Sequence, residues 1–117
     1  MNAVEKYREM AEVHAAIDYG DKTSVNRANR AADSLRSIGQ IDLDSGQLMS
    51  ILSADHPSSI WAAHHLLEFH ELTADQRRLA IQRIEIEIAK GGVTAMGERI
   101  FLTQLEKIRD KPQHPTT

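Results

Sequence analysis

Apolar residues recur at intervals of three and four along most of this chain, and each such stripe marks one half-buried helix. Over residues 3 to 19 the stripe is Val4, Tyr7, Met10, Ala11, His14 and Ile17, with Glu5, Glu9 and Glu12 on the opposite face. Gly20 is suited to end this helix in the left-handed conformation, and Asp21 or Thr23 to cap the next. The second helix is expected from about 23 to 38, stopping at Gly39, with Val25, Ala28, Ala32 and Leu35 inward and Ala31 beside them. A short Gly-Asp connection makes these two an antiparallel hairpin, and alanine allows their backbones to approach closely.

Asp44-Ser45-Gly46-Gln47 has the spacing of a capping box and starts a short third helix with Leu48, Ile51 and Leu52 inward. Asp55-His56-Pro57 then forms a turn, and Pro57 suits the first turn of a fourth helix because its missing N–H loses nothing there. At 100° per residue that helix divides in two. Ile60, Ala62, Ala63, Leu66, Leu67 and Phe69 share one half, whereas Trp61, His64, His65, Glu68 and Glu71 share the other.

Thr73-Ala74-Asp75-Gln76 repeats the capping-box spacing and opens a fifth element. Ile84, Ile86 and Ile88 alternate with Glu85 and Glu87, the period of a strand. Ile81, Ile84 and Ile88 also share one helical face, and the cap, the length and the Arg, Gln and Glu content favour helix. Gly91-Gly92 ends it. The sixth helix, about 93 to 109, is apolar over more than half its circumference through Val93, Met96, Ile100, Phe101, Leu102, Leu105 and Ile108. Such breadth predicts coverage on two sides or contact with a second subunit, so a homodimer through this helix is one expectation. The fold expected is all-α, with about six helices in antiparallel hairpins. It forms a single domain over 1–111 followed by a frayed tail, 112–117.

The 117 residues suffice for one modest core, and low aromatic content leaves aliphatic side chains and alanine to build it. A net charge of −3 with both signs interspersed gives no basic footprint for nucleic acid. The chain has no cysteine, which excludes disulfides and thiolate chemistry. The first residues lack the apolar region of a signal peptide, and no apolar run reaches the length of a membrane span. A cytoplasmic setting without membrane contact is the expectation.

Residues 45 to 69 read as helix, Asp-containing turn, helix, with Asp55 preceding Ile60, Ala63 and Leu67. This arrangement resembles the second half of a HEAT-type repeat, with Trp61 where such repeats often carry arginine. The whole chain resembles a small bacterial family of helical domains of unknown function. The residues that carry the likeness are Gly20-Asp21, Ala28-Asn29-Arg30 with Asp33 and Leu35, Asp55-His56-Pro57, Trp61-Ala62-Ala63 and Leu67-Glu68-Phe69. That resemblance implies an alpha-alpha, HEAT-like superhelix and implies no activity. Some small acidic helical proteins of this kind accompany bacterial toxin systems, which makes a toxin-neutralising immunity protein one alternative.

Trp61, His64, His65 and Glu68 are the candidate binding surface, an aromatic anchor among groups that donate, accept and titrate near neutral pH. The opposing reading has neighbouring helices pack over that face and bury the indole. His64 or His65 could pair with Glu68 at spacings of four and three. A metal-dependent enzyme using His64, His65 and Glu68 would need further ligands, and the His-Glu-x-x-His pattern is absent. Tyr7, His14 and Asp18 have the spacing of a buried polar chain, and Asn29, Arg30 and Asp33 that of ion pairs or a carboxylate contact. No phosphate-binding glycine loop or serine elbow is present, and no cofactor is called for. The expectation for function is a non-catalytic helical module that binds a protein partner.

Overall fold

The computed structural model describes residues 1–110, with side chains described as far as residue 107. Six α-helices account for most of them: α1 (Ala3–Ala15), α2 (Lys22–Ser37), α3 (Ser45–Leu52), α4 (Ser58–Phe69), α5 (Ala74–Lys90) and α6 (Val93–Asp110). A π-helical turn, Ile38–Asp42, is inserted between α2 and α3. Among the described residues there is no strand, so the all-α expectation holds. The alternating isoleucines of 84–88 lie within α5, and helix is the outcome there. The expected tail, 112–117, lies outside the described residues.

Local side-chain chemistry starts most of these helices. Asn2 accepts the Glu5 amide at 2.8 Å ahead of α1, and Asp21 accepts that of Thr23 at 3.0 Å ahead of α2. Asp44 and Gln47 form the full reciprocal box, at 2.8 and 3.0 Å. Thr73 and Gln76 do the same at the start of α5, at 3.1 and 3.0 Å. Gly91 and Gly92 adopt φ values of +78° and +87°, which only glycine takes without strain, and α5 ends there.

Two sequence-based boundaries are corrected. α1 stops at Ala15, four residues early, and Gly20 is not left-handed. Instead the Asp18 carboxylate accepts the Gly20 amide at 2.9 Å, and the Asp18 amide donates to Ser24 Oγ at 2.8 Å, which shapes the connection to α2. α2 itself ends at Ser37, within a residue of the expected 38, but Gly39 does not stop the helical path. The helix runs on into the π turn, closed by Leu43 N–H donating to Ile38 O at 3.0 Å across five residues.

The chain groups into two compact units, one spanning 1–83 and the other from Ile84 onward. In the first, α1 packs on α2 and α3 on α4, and the π turn contacts α1, α2 and α4. Its core is Tyr7 and Ala11 from α1, Ala28, Ala31 and Leu35 from α2, and Ile38 and Leu43 around the π turn. Leu48, Ile51 and Leu52 from α3 and Ala62, Ala63, Leu66 and Leu67 from α4 complete it, with Ala80 from α5. Ala11, Ala28 and Ala31 allow the close approach of α1 and α2. Burying each leucine or isoleucine contributes roughly 1.5–3 kcal/mol, so these few aliphatic side chains outweigh any surface ion pair.

The second unit contains the end of α5, the double-glycine turn and α6. Ile84 and Ala95 are buried, while Phe101, Leu102 and Leu105 are half-buried. Val93, Met96 and Ile100, spaced three and four apart on α6, are 90%, 66% and 54% exposed.

Candidate functional site

α4 carries all four residues of the candidate surface, and the structure separates them. His65 belongs to the core. It is 2% exposed, and its Nδ1 lies 2.7 Å from the hydroxyl of Tyr7, which is fully buried on α1. The Tyr7 ring meets it edge-on, with centroids 5.7 Å apart, and Phe69 stacks on it at 5.6 Å. Assigning His65 to an exposed surface is therefore corrected. The helical wheel placed it on the polar half of α4, but α1 and the π turn cover that part of the helix.

Gly39, in the π turn, makes this coverage possible. A Cβ at residue 39 would fall 2.7 Å from His65 Cγ and closer still to Nδ1, inside van der Waals contact. The same residue's carbonyl accepts from His70 Nε2 at 2.8 Å, so two histidines of the α4 region grip one residue of the turn.

Burial lowers the pKa of His65 from 6.5 to about 4, with added repulsion from His64, Arg36 and His70, so the ring is neutral at physiological pH. Burial also pushes the Tyr7 phenol well above its usual range, which keeps it protonated. In the Nε2–H tautomer of His65, Nδ1 accepts the phenol proton, and the pair is satisfied without charge. The expected chain of Tyr7, His14 and Asp18 is thus not assembled. Tyr7 turns to His65, Asp18 to the α1–α2 connection, and His14 to Trp61.

Trp61 is half-buried, between the two readings of the sequence. Its ring meets His14 edge-on at 4.9 Å and lies tilted against His65 at 5.9 Å. His14, also half-buried, has its pKa lowered by that burial. His64 is half-buried as well. Glu68 pairs with Arg36 of α2 at 3.3 Å, and the Arg36 guanidinium sits 5.0 Å over the Phe69 ring. Trp61, His64 and Glu68, with His14 and Arg36 added, thus form a partly exposed aromatic and charged strip above the His65 core. Asn29, Arg30 and Asp33 lie exposed on α2.

The set His64, His65 and Glu68 does not converge on a metal position, because His65 faces Tyr7 and Glu68 faces Arg36. Among the described residues no group of three or more His, Asp or Glu side chains is placed to hold a metal ion.

A second constellation escaped the sequence reading. His56 Nε2 lies 3.0 Å from Glu12 Oε2, and His56 Nδ1 lies 2.8 Å from Ser58 Oγ. Glu, His and Ser in series invite comparison with a nucleophilic triad. Two facts give the group a different role. Ser58 is fully buried, so its hydroxyl is closed to any substrate. Nδ1 also accepts the Ser58 backbone N–H at 3.1 Å, which makes His56 the side-chain cap that Pro57 cannot provide. Nε2–H then donates to Glu12 and ties α1 to the start of α4. Ser59 next to it donates to Leu52 O at 2.6 Å and accepts from Arg83 Nε at 2.9 Å. The recognisable signal was the ring acceptor of His56 two residues before an uncapped helical amide.

No family model, curated protein or solved structure matches the chain. Among the described residues no helix is long and apolar enough to cross a membrane.

Proposed function

We propose that this chain is a non-catalytic helical protein-interaction module whose contact surface is the Trp61, His64 and Glu68 side of α4, widened by His14 and Arg36. The observation that carries the proposal is Trp61 itself. The indole is half-exposed yet held edge-on by His14 at 4.9 Å, so it offers an aromatic anchor already fixed in position. Anchors of this type supply most of the energy of an interface, and one that is already ordered loses little entropy on binding. The Arg36–Glu68 pair, about two turns further along α4, adds polar groups of both signs at the rim. A HEAT-like alpha-alpha superhelix is the architecture that fits such a role.

The test compares partners captured by the wild-type chain with those captured by Trp61→Ala, His64→Ala and a control, Asp33→Ala, on the exposed side of α2. A partner held by wild type and control but lost with Trp61→Ala supports the assignment. Retention of every partner by both α4 variants removes it. His65→Ala is not a useful probe, since it disrupts the core.

The net charge of −3, together with the family resemblance, favours a toxin-neutralising immunity protein as a second reading. Co-expression with toxins encoded beside it should then restore growth, and Trp61→Ala should abolish the rescue. Absence of rescue with every neighbouring toxin counts against this reading.

A further inference from the structure

A cleft of about 350 Å3 opens between α1 and α3, away from the α4 surface. Val4, Ile51 and Ala54 give it an apolar side, and Arg8, Gln47 and Ser50 line the rest. Among the described residues Arg8 has no carboxylate partner, although the chain is acidic overall. Gln47 spends its Oε1 on the Asp44 amide at 3.0 Å, so its amide group can offer the cleft only N–H donors. The Asp44 carboxylate, the nearest negative group in sequence, is engaged by the Gln47 backbone at 2.8 Å. The Ser50 hydroxyl adds a third donor.

The polar part of the cleft is therefore rich in donors and includes a planar guanidinium, while the remainder is aliphatic. Guanidinium binds carboxylate through two parallel hydrogen bonds, and apolar walls with a few convergent polar groups are what small-molecule sites share. We infer that this cleft binds a small monocarboxylate with a short aliphatic body, its carboxylate on Arg8 and its chain against Val4, Ile51 and Ala54. The volume stands at the low end for ligand pockets, which suits a short chain rather than a long acyl tail.

Hexanoate is the probe and hexanol its uncharged counterpart, both titrated into the full chain and followed by NMR. Saturable shifts at the Val4 and Ile51 methyls and at Arg8 Nε are expected with hexanoate. Arg8→Met, which keeps the stem of an exposed side chain, should weaken hexanoate at least about tenfold, since a hydrogen bond to a charged group is lost. Binding of hexanol should be unaffected by that change. Ala54→Leu fills the apolar end and should remove both, with the melting temperature checked for each variant. Non-saturating hexanoate shifts, equal binding of hexanoate and hexanol by the wild type, or equal hexanoate binding by Arg8→Met would each overturn the assignment.

Discussion

Gly39 touches the imidazole of His65 so closely that residue 39 has no space for a side chain. The contact joins the π turn to α4 at the centre of the first unit, and Tyr7 closes it from α1. It also inverts an ordinary expectation. Gly39 has no positive φ, so replacement by alanine within a helical segment would normally gain roughly 0.5–1 kcal/mol. Here the added methyl must displace a buried ring, and overpacking of that kind costs about 1–3 kcal/mol. Gly39→Ala is expected to lower the urea midpoint. In the His65→Ala background, itself destabilised, Gly39→Ala should cost less than it does in the wild type; an equal cost in both backgrounds would show the contact to be unimportant.

Tyr7→Phe keeps the ring and deletes only the hydroxyl that meets His65 Nδ1 at 2.7 Å. A buried nitrogen loses its partner, which costs about 1–3 kcal/mol. Equilibrium denaturation measures this directly. A variant as stable as wild type would mean that His65 finds another partner or admits water.

Much of this fold could be read from the chain, and apart from the local contacts of Asp18 and His56 the missed parts share one cause. Asp44 with Gln47 and Thr73 with Gln76 cap their helices as their spacing indicates, because both partners lie within one turn. The inward faces of α3 and α4 followed from periodicity for the same reason, although Ile60 is only half-buried. The π turn, by contrast, exists where α1, α2 and α4 meet, and no local pattern distinguishes it from a helix ending at Gly39. Sequence misplaces His65 because a helical wheel gives only its angle, and neither that angle nor its polarity shows a neighbour that supplies a matching hydroxyl. Trp61 lies at the boundary of that coverage, so its exposure depended on packing that sequence periodicity does not encode.

The neutral state of His65 makes stability depend on pH. In the unfolded chain the imidazole titrates near 6.5, and in the folded core it titrates near about 4. Between these values the unfolded state binds the additional proton. Stability is therefore full above pH 6.5 and declines as the pH falls toward about 4, by at most about 1.4 kcal/mol per pH unit from this group. His14, also lowered by burial, acts in the same direction. Urea midpoints at pH 7.5, 6 and 5 test the slope, and the His65 Cε1 proton reports its own titration by NMR. A midpoint near 6.5 for that resonance would mean the ring is hydrated.

His56→Ala should weaken the start of α4. It removes the acceptor of the Ser58 amide and the tie to Glu12, and cap losses cost about 0.5–2 kcal/mol. Amide exchange at Ser58 and Ser59 should accelerate more than exchange in the middle of α4. Because Ser58 is fully buried, a serine-directed fluorophosphonate should leave it unlabelled in the native state. Labelling of Ser58 without unfolding would restore the nucleophilic reading of this array.

Arg36 takes part in two interactions of comparable size. Its ion pair with Glu68 is on the surface, with 61% of the Arg36 side chain exposed, so the charge interaction contributes at most about 1 kcal/mol and is screened by salt. The guanidinium also lies 5.0 Å over the Phe69 ring, a contact worth about 0.5–1 kcal/mol at an exposed site. Lysine would preserve the charge but not the planar group that both pairs and stacks. Arg36→Lys should therefore destabilise by no more than about 1 kcal/mol, and a substantial part of that difference should persist at high salt, where the ion-pair share fades. Thermal melts of wild type and Arg36→Lys at low and high salt separate the two. A difference that vanishes completely in salt would assign the effect to Glu68 alone and leave Phe69 without a role.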